Sequence, residues 1–410
     1  MYIHFIFVFY PLLHINIKHY KNHVLSKFSL YFSSCEAISA LECIILMSSF
    51  SVITLSFFNV LSIPYVFLLS ISKNIFRTIS GNPPPVPISN IFLYLILKGE
   101  RMKYSVTLNP SIDFIVRVYD FLIGETNRAY EDNFFAGGKG IMVSKLLKNV
   151  GTECINLGFL GGFTGTFIEQ NLKKLNILSD FVTVNENTRV NVKLKTETET
   201  EINCQGPKIS ETEKEEFLDK IRKTKSDDFV ILSGSVPSNL GNDFYITIIE
   251  ILNKNGVKFT LDSSGETFSK SLKYKPFLIK PNKDELKEYA KREFKNNQEI
   301  VDYVRENLVD KAEHVIISLG GEGALYIDKN FSLFAQPLRV KENVVNTVGA
   351  GDSVVAGFVN YMLKHNDTEK AFRFAVACGT ATSFSEDIGE LNFIEKIYNK
   401  LVIERKCYGN

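Results

Sequence analysis

The chain has 410 residues, enough for one large or two ordinary domains, and its composition (45% hydrophobic, 23% charged) is that of a globular protein able to build a core. Its 47 basic and 46 acidic residues leave a net charge of +1, which argues against a dedicated nucleic-acid binder, since such proteins carry a basic surplus. The cysteines (Cys35, Cys43, Cys154, Cys204, Cys378, Cys407) are scattered without a CxxC pair, which points to reduced thiols in a cytoplasmic chain and suggests no zinc site.

Residues 1–101 differ in texture from the rest of the chain. They hold two of the 25 glycines, no aspartate and four of the six histidines. The uncharged run 43–72 is long enough to cross a bilayer, although serines dilute it and Asn59 and Pro64 interrupt it. Two readings compete: a membrane anchor, or translated upstream DNA that is not part of the native protein. Ile, Phe, Tyr, Asn, Lys and Ser are what AT-rich triplets encode. Lys98-Gly99-Glu100-Arg101, directly before Met102, can be encoded with an AAGGAG-type ribosome-binding sequence. The expectation is therefore a non-native extension over 1–101, a start at Met102 and no membrane contact. Mass-spectrometric detection of peptides from 1–101 in the native protein would refute it.

From Met102 onward, strand-like and helix-like pieces alternate. The apolar run 104–108 reads as a buried strand. Residues 113–135 then alternate polar and apolar, as strands exposed on one face do. Ala136-Gly137-Gly138-Lys139-Gly140 opens a helix over 141–150 that Gly151 stops. It is not a Walker A loop, because Asn133 and Gly140 break the GxxxxGK[ST] pattern. A strand over 154–160 is followed by a second alternating stretch, 188–203. Together the two alternating regions, about 112–136 and 186–204, read either as a small sheet standing off the main domain as a lid or as a pair of solvated edge hairpins. Next come a helix over 211–223, a strand over 229–232, a helix over 244–253 and strands over 257–261 and 277–279. Strand–helix alternation of this kind gives a mainly parallel sheet with helices on both faces, and ligands bind beyond the carboxyl ends of its strands.

Lys280-Pro281-Asn282-Lys283-Asp284-Glu285-Leu286 follows the strand 277–279 and starts a helix. Asn282 with Glu285 three residues on fits a capping box, and equally a site for hydrated Mg²⁺, which prefers oxygen ligands. Ser318-Leu319-Gly320-Gly321-Glu322-Gly323 joins two apolar strands, with room for a flat ring or a phosphate chain against its backbone. Finally Asn346-Thr347-Val348-Gly349-Ala350-Gly351-Asp352 runs into a helix. Small residues let N–H groups crowd an anion, the helix N-terminus favours negative charge, and Asp352 stands where a phosphoryl group would arrive. A carboxylate beside an amide cradle is what a hydroxyl needs to attack a phosphate. A capped glycine turn is the plainer alternative. Arg128 and Arg189, in the alternating stretches, carry forks suited to phosphate oxygens, although exposed arginines are usually just solvated.

The order of these pieces carries more than any one of them. NPxxD (Asn109, Pro110, Asp113), GGKG, Thr188-Arg189, Ser233-Gly234-Ser235-Val236-Pro237, KPNxxE, SLGGxGA and NTVGAGD together resemble the phosphofructokinase-B (ribokinase-like) family of carbohydrate kinases, over about residues 102–400. The resemblance implies a three-layer α/β/α fold with a small β-sheet lid, and ATP-dependent transfer of a phosphoryl group to a ketose phosphate. Residues 108–113, Asn127-Arg128, 161–165 and 199–203 are most similar to the branch that converts fructose 1-phosphate to fructose 1,6-bisphosphate; tagatose 6-phosphate or another ketose phosphate is the alternative substrate. It further implies Asp352 as general base, with Gly349, Ala350 and Gly351 as anion hole. Asp113, Arg128, Gly138, Lys139 and Arg189 would bind the sugar phosphate. Lys280, Asn282, Ser318, Gly320, Gly321, Glu322, Gly323 and Gly351 would bind ATP, and Asn282 and Glu285 would organise Mg²⁺ through water. Lids of this kind offer a way to pair two copies. Where the family usually has Asn, this chain has Met142, whose thioether cannot donate a hydrogen bond. The expected result is a raised KM for the sugar phosphate, or, in a reading of another class, a non-catalytic sugar-phosphate sensor.

Overall fold

Short apolar strands separated by amphipathic helices assemble into the expected parallel sheet. The computed structural model describes residues 102–338 and 347–408. All of these fall in the unit Arg101–Asn410, one of two into which the chain divides. The expectations for residues 1–101, and Asn346, lie outside the described residues. Among the described residues no helix is long and apolar enough to cross a membrane.

The chain runs β1 (Lys103–Thr107), β2 (Ser111–Val118), β3 (Ala129–Gly137), α1 (Lys139–Asn149), β4 (Ile155–Gly161), α2 (Gly162–Lys174), β5 (Leu178–Ser179), β6 (Val182–Val184), β7 (Arg189–Lys195) and β8 (Glu199–Ile202). Next come α3 (Glu211–Arg222), β9 (Phe229–Ser233), α4 (Phe244–Lys254), β10 (Lys258–Asp262), α5 (Gly265–Ser271), β11 (Leu278–Ile279), α6 (Lys283–Ala290) and α7 (Asn297–Asn307). The last elements are β12 (His314–Ser318), β13 (Ala324–Ile327), β14 (Phe331–Ala335), α8 (Ala350–His365), α9 (Thr368–Ser383), α10 (Leu391–Lys400) and β15 (Ile403–Cys407).

The main sheet has the order β15-β14-β13-β12-β11-β10-β9-β1-β4-β5, with β6 also on β4. It is parallel from β12 to β5 and antiparallel from β12 to β15. Its central strands are apolar throughout because both faces are covered. On β9, Phe229 and Ile231 pack toward α1, α8, α9 and α10, while Val230 and Leu232 pack toward α3 and α4. Farther along, Val315 and Ile317 of β12 share a cluster with α6 and α7. Phe358 of α8 and Phe372 of α9 are wholly buried; each contributes about 1.5–3 kcal/mol by leaving water.

The alternating stretches form one separate sheet, β3-β2-β7-β8, rather than two edge hairpins, because β2 pairs in parallel with β7. Its register sets Asp113 beside Asn191 and Ile115 beside Lys193. Successive side chains alternate faces, so Asp113, Asn191 and Lys193 share one side and Phe114, Phe134 and Val192 the other. Phe114 and Phe134 stack at 4.3 Å, and Tyr119 on Tyr130 at 4.0 Å, with Phe134, Tyr119 and Tyr130 exposed.

Candidate active site

The parallel strands all end at one edge, and the polar residues there converge. β10 ends in Asp262, which is in register with Ser233 at the end of β9. Asp262 is 6% exposed, a position where a lone carboxylate is costly. Two cations compensate it. Lys139 Nζ, in the first turn of α1, donates to Asp262 Oδ2 at 3.0 Å, and Lys280 Nζ, just after β11, lies 3.4 Å from Oδ1. Burial alone would push the Asp262 carboxyl up, but Lys280 and Lys139 outweigh it and lower it to about 2. Lys139 is raised in turn, first by Asp262 and further by Asp352 and Glu285.

The N-terminus of α8 faces the same cluster. Its cap, Gly349, has φ 81°, a left-handed backbone that glycine adopts without penalty. Gly351 leaves room for the Lys280 ammonium, which would lie 3.2 Å from a methyl group added there. Ala350 N–H is turned back to Thr347 O at 3.3 Å. The amides of Gly351 and Asp352 sit in the first turn, where a helix supplies no acceptor. Asp352 is 6% exposed, and its Oδ1 is buried without a hydrogen-bond partner. Burial, then the Asp262 charge, raise the Asp352 carboxyl to about 7, against the opposing pull of Lys139 and Lys280. Of the two carboxyls, Asp352 therefore holds the proton more readily, while Asp262 stays charged between its lysines.

The lid joins this cluster through Gly137–Lys139. Gly137 backs onto the Asp113 carboxylate, which accepts from Ser111 Oγ at 2.8 Å and Asn191 Nδ2 at 3.2 Å. Arg189 fixes its guanidinium by donating to Asn109 O (2.9 Å), Cys204 O (3.0 Å) and Ser235 Oγ (3.2 Å). Gly234, beside Ser235, lies against the stem of Lys139. Gly138, at φ 116°, caps α1 between Thr107 and Pro110. Asp113, Gly138, Lys139 and Arg189 are thus contiguous. Arg128 is not part of this group: it lies exposed in the loop before β3, outside the expected strand, and makes no hydrogen bond or ion pair to another described residue.

On the other flank, Asn282 bridges to Ser318, and Ser318 N–H donates to Pro281 O at 3.1 Å. Gly320–Glu322 form a single 3₁₀ turn between β12 and β13, where Glu322 pairs with Lys283 at 3.3 Å. Asn282 and Glu285 form a reciprocal capping box: Asn282 Oδ1 accepts from Glu285 N and Glu285 Oε2 from Asn282 N, both at 2.8 Å. Both readings of that motif remain compatible, because Glu285 Oε1 lies outside the box. No group of three or more His, Cys, Asp or Glu able to hold a metal exists among the described residues. The free Glu285 Oε1 is a carboxylate oxygen of the kind Mg²⁺ takes beside water and substrate phosphates.

Met142 does not point at a polar surface. It is 6% exposed, packed in the core beneath Gly349. Asp262 is the residue that reading the sequence missed. Its signal was available: a charged residue closing the apolar run 257–261, at the strand end where ligands bind.

A family model, "pfkB family carbohydrate kinase", matches residues 102–390. A Bacillus subtilis protein named 1-phosphofructokinase is 44% identical over 304 residues, 74% of this chain and 100% of that one. A Bacillus licheniformis D-tagatose-1-phosphate kinase is 36% identical over 303 residues, 74% of this chain and 99% of that one. The crystal structure of Escherichia coli phosphofructokinase-2 in complex with fructose-6-phosphate aligns with a TM-score of 0.68 at 26% identity, covering 73% of this chain and 99% of that one.

Proposed function

This chain belongs to the pfkB family of carbohydrate kinases, and from that premise we propose that it transfers the γ-phosphoryl of ATP to the free primary hydroxyl of fructose 1-phosphate, giving fructose 1,6-bisphosphate. The observation that carries the reading is the buried, unpartnered Oδ1 of Asp352 beside the first amides of α8 and the Lys280 ammonium. A carboxylate with a free oxygen can take the hydroxyl proton. Next to it, the Gly351 and Asp352 N–H groups and the cap at Gly349 meet the charge that develops on the moving phosphoryl group. Lys139 and Lys280 then neutralise phosphate oxygens. Asp113 and Arg189 hold the sugar phosphate, and the segment from Ser318 to Gly323 with Asn282 holds the nucleotide. Transfer of this kind rests on positioning and charge neutralisation more than on covalent chemistry.

Mg²⁺, held through water by Glu285 and the Asn282 segment, would supply neutralisation of the ATP phosphates. The closest alternative substrate is a tagatose phosphate, favoured by the identity to the Bacillus licheniformis protein. A coupled ADP-release assay across fructose 1-phosphate, tagatose 6-phosphate, tagatose 1-phosphate and fructose 6-phosphate separates them; fructose 1-phosphate should have the highest kcat/KM, and another winner would reassign the substrate. The exposed aromatic face of the lid supports pairing of two copies, and the reading places the enzyme in the cytoplasm.

A further inference from the structure

Lys145 is the one lysine of α1 that is buried, with its side chain 7% exposed, and nothing in phosphoryl transfer calls for it. Its ammonium donates to both oxygens of Asp387, at 3.1 and 3.0 Å, 242 residues along the chain. One helical turn on, Asn149 Nδ2 donates to Ile388 O at 3.4 Å and Gly389 O at 3.1 Å. From the other side Gly389 N–H donates to Thr382 Oγ1 at 3.1 Å, and that hydroxyl bonds Ser353 Oγ at 2.8 Å in the first turns of α8. The segment 387–389 is thereby held directly by α1 and α9, and through Thr382 it is tied to α8. What it presents inward is Ile388. A methyl group added at Gly349 would meet Ile388 Cδ1 at 2.8 Å and Met142 Cγ at 3.5 Å, so the left-handed cap sits between two apolar side chains.

From this chain of contacts we infer that Lys145 is a positioning residue for phosphoryl transfer, acting through Asp387 and Ile388 to hold Gly349 in the conformation that aims the first amides of α8. The inference rests on the kinase reading for its kinetic consequence and on geometry alone for its structural one. A buried cation is a costly way to pin a loop, because its desolvation must be met by the pair it forms. Removing the charge frees the loop, and the half-exposed Asp387 can then be solvated. The amides matter most when charge develops in the transition state, so the loss should fall on kcat and spare substrate affinity.

The test uses Lys145→Met, which keeps the stem and removes the charge, followed by ADP-release kinetics with fructose 1-phosphate and by hydrogen exchange of the peptide spanning residues 347–356. The expected result is a kcat lowered about tenfold, the loss typical of weakening part of an anion cradle, with either KM changed less than twofold and faster exchange in that peptide. Lys145→Arg should restore both, and Lys145→Met with Asp387→Asn should be no slower than Lys145→Met alone. Unchanged exchange, or a kcat within twofold of wild type, overturns the inference. If Lys145→Met does not fold, Asp387→Asn, altered on the exposed partner, is read the same way. Wild-type protein that releases no ADP with any sugar phosphate would sink the kinase reading, while the exchange result would still decide the clamp.

Discussion

The ammonium of Lys139 donates to the Asp262 carboxylate across 3.0 Å, tying the first turn of α1 to the end of β10 over 123 residues of sequence. Lys280 shares the same carboxylate. One fixed anion thus preorganises two cations, and with Asp352 protonated the group carries an excess of positive charge. A pocket so charged attracts polyanions such as ATP and sugar phosphates. When phosphates arrive, the lysines gain new partners, and on the proposed reading Asp352 serves as base only once it has lost its proton.

The pH dependence follows from Asp352. Burial and the Asp262 charge raise its carboxyl to about 7, and a base works only when deprotonated. Activity should therefore fall as pH drops through that value and level off above it. Measuring kcat/KM from weakly acidic to weakly alkaline pH checks this, because that ratio reports groups of the free enzyme. A limb at the ordinary carboxylate value would contradict the environment assigned to Asp352.

Asp262→Asn separates the enzyme's limb from ionisation of the substrate's own phosphate. It removes the anion that helps raise Asp352, so the acid limb should move to lower pH, which a substrate ionisation cannot do. Both lysines also lose their anchor, and kcat/KM at neutral pH should fall on the order of tenfold or more. An unmoved limb would show that the two carboxyls do not interact.

Met142→Asn tests the side chain beneath Gly349. If the amide reaches a sugar hydroxyl, KM for the sugar phosphate should fall roughly tenfold, the equivalent of one hydrogen bond of about 1–2 kcal/mol. The same change buries a polar group among Ile388 and its neighbours, so thermal stability should drop by about 1–3 kcal/mol. A loss of stability with KM unaltered would mean the contact is not made.

The apolar lid face predicts association. Phe134 is 52% exposed and stacked on Phe114, and a second lid would cover it. Light scattering should give a dimer for wild type and a monomer for Phe134→Asp. A wild-type monomer at micromolar concentration would remove the lid from the account.

Much of this was legible in the sequence, and the reason differs by element. Buried parallel strands such as β9 announce themselves as uninterrupted apolar runs. A period of two marks exposed strands, but that period left one small sheet and two hairpins equally open until β2 was seen to pair with β7. Asn282 and Glu285 announced their capping box by spacing alone. What could not be read was pairing across distance. Asp262 meets Lys139 and Lys280 only because β10 ends beside β9 and β11, and Asp387 meets Lys145 only because the loop between α9 and α10 folds back against α1. Arg128 falls just before β3 rather than on a strand, because the chain turns between β2 and β3 before reaching it. Met142 showed its chemistry in the sequence, while its position under Gly349 needed the fold.

The most direct measurement is ³¹P NMR of the protein with ATP, Mg²⁺ and fructose 1-phosphate, run beside Asp352→Asn. In the wild type, ATP and fructose 1-phosphate should be consumed together, with ADP and a second phosphomonoester on the sugar appearing in equal amounts. The variant should be folded and slower by orders of magnitude. Release of inorganic phosphate without a bisphosphate, or equal rates in the two proteins, would contradict it.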